Sequence, residues 1–196
     1  MMAARYRDRI TLVLVALAAM GCGRSATSRF YTLASTAAPY ESPLASYGVI
    51  VGPVTVPASV DRPEFVVQVT PNRVTLDEFN RWAAPLNESI ARVVAGDLAA
   101  LLGTSHVAAA PLANFDPAYR VTIAVQQFDS IPGEAAVVDA VWTVRGARQR
   151  STRTGRTVAR EQVADKSFDA LAAAHSRALE AVSSDIASAI RAEERR

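Results

Sequence analysis

The sequence predicts an α/β fold: a single layered domain in which a mixed β-sheet packs against two long amphipathic helices. Three observations lead there. Short runs rich in Val, Ile, Tyr and Phe, bounded by Pro, Gly and Asn, recur through most of the chain and read as strands. Two stretches, around residues 86–102 and 168–190, instead repeat their apolar residues at helical spacing. Half of the 196 residues are apolar and a fifth are charged, which is the composition of a domain with one core rather than of a disordered chain.

In order, Phe30-Tyr31-Thr32-Leu33 reads as a first strand, and residues 34–47, with Pro39 and Pro43 among small residues, as a loop. Residues 48–57 (GVIVGPVTVP) are a β-branched strand, broken or bulged at Gly52-Pro53. The chain turns over 59–64. A strand at 65–69 then pairs, through a Pro71-Asn72 turn, with a short returning strand at 73–76. Pro85 suits the first position of a helix, where its missing N–H costs nothing. Leu86, Ile90, Val93, Val94, Leu98, Leu101 and Leu102 form that helix's apolar line, and Gly103 suits its C-terminal end.

A weak strand is expected within 104–109. A stronger one spans 119–128, with Tyr119, Val121, Ile123, Val125 and Gln127 alternating against Thr122, Ala124 and Gln126. After a turn at Ile131-Pro132-Gly133, residues 136–144 form a long strand, 146–155 a polar, basic hairpin tip, and 157–166 the returning strand. Ser167 is placed to cap a final helix with the apolar line Phe168, Leu171, His175, Leu179, Val182, Ile186 and Ile190; the RAEERR tail reads as solvated. Strands, helix, strands, helix is the order of a layered α/β domain. The pattern leaves open whether both helices pack on the same side of the sheet.

The N-terminus carries a different signal. Arg5, Arg7 and Arg9 precede an apolar run that ends in Gly21-Cys22, which is the basic head, apolar middle and small-residue end of an export signal. The run is too short for a bilayer span, which needs about 20 apolar residues. The alternative, a buried first helix with an inert cysteine, does not account for the basic head and the Gly-Cys end together. Ala19-Met20-Gly21-Cys22 resembles the lipobox of bacterial lipoprotein precursors, with Ala19 standing where Leu is usual. That resemblance implies a cleaved signal at 1–21, a diacylglycerol and an N-acyl chain on Cys22, and a short tether over 22–29 ahead of a domain at 30–196. Gly23 rather than Asp after the cysteine suggests the outer membrane. The seven residues after Cys22 reach about 25 Å fully extended, so the domain sits close to the membrane surface.

The formal charge of +2 belongs to the signal, which holds three Arg and one Asp; the remainder has 18 basic and 18 acidic side chains. Nothing in the global charge points to nucleic acid. Cys22 is the only cysteine, so the chain forms no internal disulfide.

Further residues carry a resemblance across nearly the whole chain: Gly21-Cys22, Phe30-Tyr31-Thr32-Leu33, Val51-Gly52-Pro53-Val54 with Pro57, Asp61-Arg62-Pro63-Glu64-Phe65-Val66, Arg81-Trp82-Ala83-Ala84-Pro85-Leu86, Gln127-Phe128-Asp129 and Ala140-Val141-Trp142. With these the sequence resembles the ABC-type transport auxiliary lipoproteins, the PqiC-type outer-membrane lipoproteins of Gram-negative bacteria. The resemblance implies a non-enzymatic accessory component on the periplasmic face of the outer membrane. Its partners would be an MCE-domain periplasmic protein and an inner-membrane permease that together move lipids between the membranes. The resemblance is also compatible with ring-like self-association into a homo-oligomer, which the sequence itself does not show. A second reading is a periplasmic lipoprotein that itself binds a hydrophobic ligand.

No nucleophile elbow, zinc-protease motif or phosphate-binding loop is present. His106 and His175 are the only histidines, without the spacing of a metal site. His175 lies on the apolar line of the last helix and reads as a hydrogen-bonded core residue rather than a base. Arg145, Arg148, Arg150, Arg153, Arg156 and Arg160 crowd one hairpin; a solvated edge that blocks aggregation is preferred to a headgroup-binding patch. Trp142 reads as core, its indole needing one partner. The candidate partner contacts are Asp61, Arg62, Arg81 and Trp82, since Trp and Arg dominate binding hot spots. Against this, Trp82 would staple the start of the helix to the sheet, and Asp61 and Arg62 would form an internal ion pair.

Overall fold

In a computed structural model of the chain, residues 26–39, 46–146 and 151–195 are described. Residues 1–21, Cys22, the start of the tether, Arg148 and Arg150 lie outside the described residues. Eight strands and two helices follow in the order β1 (Arg29–Tyr31), β2 (Val49–Thr55), β3 (Glu64–Thr70), β4 (Arg73–Trp82), α1 (Leu86–Leu102), β5 (Val107–Ala109), β6 (Tyr119–Ile131), β7 (Ala135–Gly146), β8 (Thr152–Gln162) and α2 (Phe168–Glu194).

All eight strands form one mixed sheet whose spine is β6. Along one edge β6 pairs antiparallel with β7 over its whole length, and β7 pairs with β8. Its other edge forks. The first half of β6 takes β2 in parallel, with β5 beyond; near its end Ser130 pairs with Val67 of β3, which continues through β4 to β1. Helix α1 packs over β2 and β5, α2 over β7 and β8, and the helices touch each other. Both therefore cover the same face. One core joins Val49, Val51, Val121, Ile123, Val138 and Val144 of the sheet to Ile90, Val94 and Leu98 of α1 and Leu171, Leu179, Val182, Ile186 and Ile190 of α2.

The helix ends follow their local chemistry. Gly103 closes α1 in the left-handed region at φ 63°, where a side chain would be strained, and its N–H returns to the carbonyl of Ala100. Ser167 caps α2 by accepting from the Ala170 N–H at 3.1 Å. Pro85 is the residue before α1 rather than its first helical residue: its ψ of 134° is extended because the chain is still leaving β4, while its carbonyl already accepts from Ser89 N–H.

Other boundaries differ from the sequence reading for tertiary reasons. Strand β4 runs to Trp82 rather than ending near 76, because Asn80, Arg81 and Trp82 pair in parallel with β1. A large bulge lies between its two halves and is closed by Asp77, whose Oδ1 accepts from the backbone of Phe79 and Asn80. Strand β6 bulges between Val125 and Gln127. The extra residue reverses the alternation, so Gln127 is exposed and Phe128 and Ser130 face the core. Strand β8 begins at Thr152, drawn into pairing by the length of β7, so Arg153, Gly155 and Arg156 belong to a strand and not to a hairpin tip. The tail is helical to Glu194, with Glu193 buried beside Arg153.

Candidate functional site

The turn before β3 is tied down by its own backbone. Val60 is buried, the Pro57 carbonyl accepts from the N–H groups of Val60 and Asp61, and the Val60 carbonyl accepts from Arg62 N–H at 2.8 Å. The end of β4 is held beside it: Trp82 N–H donates to the Pro63 carbonyl at 2.7 Å, and Ala83 N–H to the Tyr31 carbonyl at 2.9 Å. Between this turn and the start of α1 lies a concavity of about 370 Å3, lined by Asp61, Arg62, Pro63, Trp82, Ala83, Ala84, Pro85 and Leu86.

Its floor is rigid. Trp82 is only 6% exposed and stacks on Phe65 with ring centroids 4.1 Å apart. Phe65 meets Tyr31 and Phe168 edge-on, and Trp82 meets Phe128 and His175 edge-on. The indole therefore belongs to an aromatic row running into the core. Asp61 and Arg62 are exposed at the rim, and among the described residues neither makes an ion pair. An apolar floor with one free cation and one free anion above it suits an extended polypeptide carrying a small apolar side chain and complementary charges.

Three of the four predicted contact residues thus meet in one place. Arg81 does not: it pairs with Glu64 at 3.0 Å and is not among the lining residues. Sequence reasoning missed Leu86 as part of the lining, reading it only as core.

A second polar arrangement went unread in the sequence. Asp97, on α1, is fully buried; its Oδ1 accepts from Ser35 Oγ at 2.6 Å and from the N–H groups of Thr36 and Ala37, and its Oδ2 from Ser183 Oγ at 3.0 Å. The carboxylate pins the segment after β1 to both helices. A carboxylate within α1's run of buried apolar residues was the available signal, since such a group is buried only with partners.

His175 is fully buried, and its Nε2 lies 2.8 Å from Ser130 Oγ. Burial among apolar rings pushes its pKa down to about 3. Ser130 is 2% exposed, and among the described residues Nδ1 has no hydrogen-bond partner where the orienting carboxylate of a catalytic triad would stand. Trp142 is core, its indole N–H donating to Thr157 Oγ1 at 3.0 Å. Of the described hairpin arginines, Arg156 grips Asp139 through two bonds, Arg160 pairs with Glu134 and Arg153 with Glu193. The Arg156 bonds hold the Asp139 carboxyl below the usual carboxylate range. Among the described residues no cluster of His, Cys, Asp and Glu could hold a metal ion, and no helix is long and apolar enough to cross a membrane.

A family model described as the ABC-type transport auxiliary lipoprotein component matches residues 31–187. No curated protein matches the chain. The fold is shared with solved structures. One, titled only as an uncharacterized protein, is 20% identical with a TM-score of 0.69, over 84% of this chain and 99% of the other. Another, a protein from Xanthomonas campestris of the DUF330 family, is 19% identical with a TM-score of 0.67, over 82% and 93% of the two chains.

Proposed function

Because this chain belongs to the family of ABC-type transport auxiliary lipoprotein components, we propose that it is a non-enzymatic tether and docking module of a trans-envelope lipid transport system. Cys22, carrying a diacylglycerol and an N-acyl chain, fixes it to the periplasmic face of the outer membrane. Two or more chains on one residue make that attachment stable where a single chain is marginal. The domain then presents a docking surface to an MCE-domain periplasmic protein, which in turn engages an inner-membrane permease.

The observation that carries this reading is the concavity at Asp61, Arg62 and Trp82. It is set on rigid elements, its apolar floor is held by the aromatic row, and its rim charges make no ion pair among the described residues. The other reading, a carrier of hydrophobic ligands, needs an apolar cavity of several hundred Å3, and about 370 Å3 lies within the range for small-molecule pockets, roughly 300–1,000 Å3; native mass spectrometry showing no co-purified lipid would argue against it. The test is photocrosslinking from position 62 or 83 in intact envelopes. Adducts with an MCE-domain protein are expected; adducts with other envelope proteins only would overturn the assignment. Separately, Cys22→Ser should abolish metabolic palmitate labelling.

A further inference from the structure

Of the seven large apolar side chains that stand exposed among the described residues, five belong to β1 and the β3–β4 hairpin: Phe30, Val69, Val74, Leu76 and Phe79. The register sets Val66 opposite Leu76 and Gln68 opposite Val74, so Leu76 and Val74 share the face that the helices leave bare. Phe30, 65% exposed, pairs with Arg81 beside them. Strand β1 is only three residues long, so among the described residues no strand lies beside the edge of β4 away from β3 between Arg73 and Phe79. An apolar, open sheet edge of this kind is an aggregation hazard unless something covers it.

We propose that the lipid bilayer covers it: the outer face of the β3–β4 hairpin rests on the membrane in which the protein is anchored. This rests on the reading of Cys22 as the anchor. Two features of the chain argue for that occupant. The first is reach, since seven residues from Cys22 to Arg29 span at most about 25 Å. The second is direction. Strand β1 runs parallel to β4, with Arg29 opposite Asn80 and Tyr31 opposite Trp82. Read back from Tyr31 to Arg29, β1 therefore heads from Trp82 toward Asn80, that is, toward the end of β4 that carries Leu76 and the Pro71-Asn72 turn. The anchor approaches from the end of the sheet that carries the apolar hairpin, while the Asp61–Trp82 concavity lies at the other end of β4 and stays free for a partner. Arg29 and Arg73 are exposed on this stretch, as is Glu78, so the local charge is mixed and the apolar side chains carry the contact.

The test uses the full lipidated protein in vesicles of phosphatidylethanolamine and phosphatidylglycerol. An acylated Cys22 offers no free thiol, so single variants Val74→Cys, Leu76→Cys, Phe79→Cys and, on the outer side of α2, Ser184→Cys can each be labelled once with an environment-sensitive dye. Blue-shifted emission and quenching by spin-labelled lipid chains are expected at 74, 76 and 79, and neither at 184. Water-like emission at all four positions, in protein that floats with the vesicles, would overturn this inference and leave the anchor standing. Quenching at 184 to the same degree would also overturn it. An intact mass without acyl chains would instead remove the anchor, and this proposal with it.

Discussion

The imidazole of His175 lies flat on the ring of Phe128, centroids 3.8 Å apart and planes 5° from parallel, with its Nε2 2.8 Å from Ser130 Oγ. The contact exists because the bulge in β6 turns Phe128 and Ser130 inward together, under the first third of α2. It makes the fold pH-sensitive. An ordinary histidine takes up its proton near 6.5, whereas His175 is held at about 3 by desolvation. Between those values the unfolded chain binds the proton and the native chain does not. The stabilisation is thus complete above about pH 6.5 and lost as pH falls toward 3, at about 1.4 kcal/mol per pH unit. Urea unfolding at several pH values between 6.5 and 4.5, above the range where Asp139 and Asp165 titrate, should show this slope. His175→Gln should flatten it.

Replacement of Gly155 should damage the core directly. An added Cβ there would lie 2.2 Å from the Trp142 ring, which fills the space across the β7–β8 pair. Trp142 cannot yield without giving up its bond to Thr157. Gly155→Ala should cost about 1–3 kcal/mol, the range for overpacking, read as a lower denaturation midpoint with an unchanged m-value.

Asp97→Ala should be worse than its single methyl suggests. It takes the acceptor from Ser35 Oγ, Thr36 N–H and Ala37 N–H at once, while Ser183 keeps the Leu179 carbonyl, and should cost about 3 kcal/mol or more. Ser183→Ala removes one bond to Asp97 and should cost about 1 kcal/mol. Hydrogen exchange at Thr36 and Ala37 should rise in the first variant and stay near native in the second.

The sequence was most informative where one local rule decides the outcome. Helical spacing named Leu171, His175, Leu179, Val182, Ile186 and Ile190 among the buried residues of α2, though not its buried alanines, and local chemistry named Ser167 as a cap and Gly103 as the end of α1. It was least informative where the partner lies far along the chain. The parallel pairing of β1 with β4 lengthens β4 by residues that do not alternate, and the Asp77 bulge hides the strand's periodicity. One inserted residue in β6 moved Gln127 out and Phe128 in. Within the site, Asp61, Arg62 and Trp82 were readable as unusual residues at turns. That they share a concavity, and that Arg81 is turned away to Glu64, depends on the bonds from Pro63 to Trp82 and from Tyr31 to Ala83.

Those same bonds dictate how the docking surface has to be probed. Trp82→Ala should lose partner binding, but it also removes a side chain from the aromatic row and should cost about 3–5 kcal/mol of stability. Its phenotype would therefore say little about docking. The rim gives a cleaner answer. Arg62 is exposed and makes no ion pair among the described residues, and Ala83 is exposed on the concavity wall, so Arg62→Glu reverses a charge and Ala83→Trp fills the space without touching the core. Both should keep the wild-type melting temperature within about 2 °C, since surface changes usually stay within about 0.5 kcal/mol. Both should weaken partner binding by at least about tenfold, equivalent to about 1.4 kcal/mol. Co-purification from envelopes, measured beside thermal melts of the same variants, checks both numbers at once. Native-like binding by Ala83→Trp would place the docking surface elsewhere, because a filled concavity cannot accept a side chain.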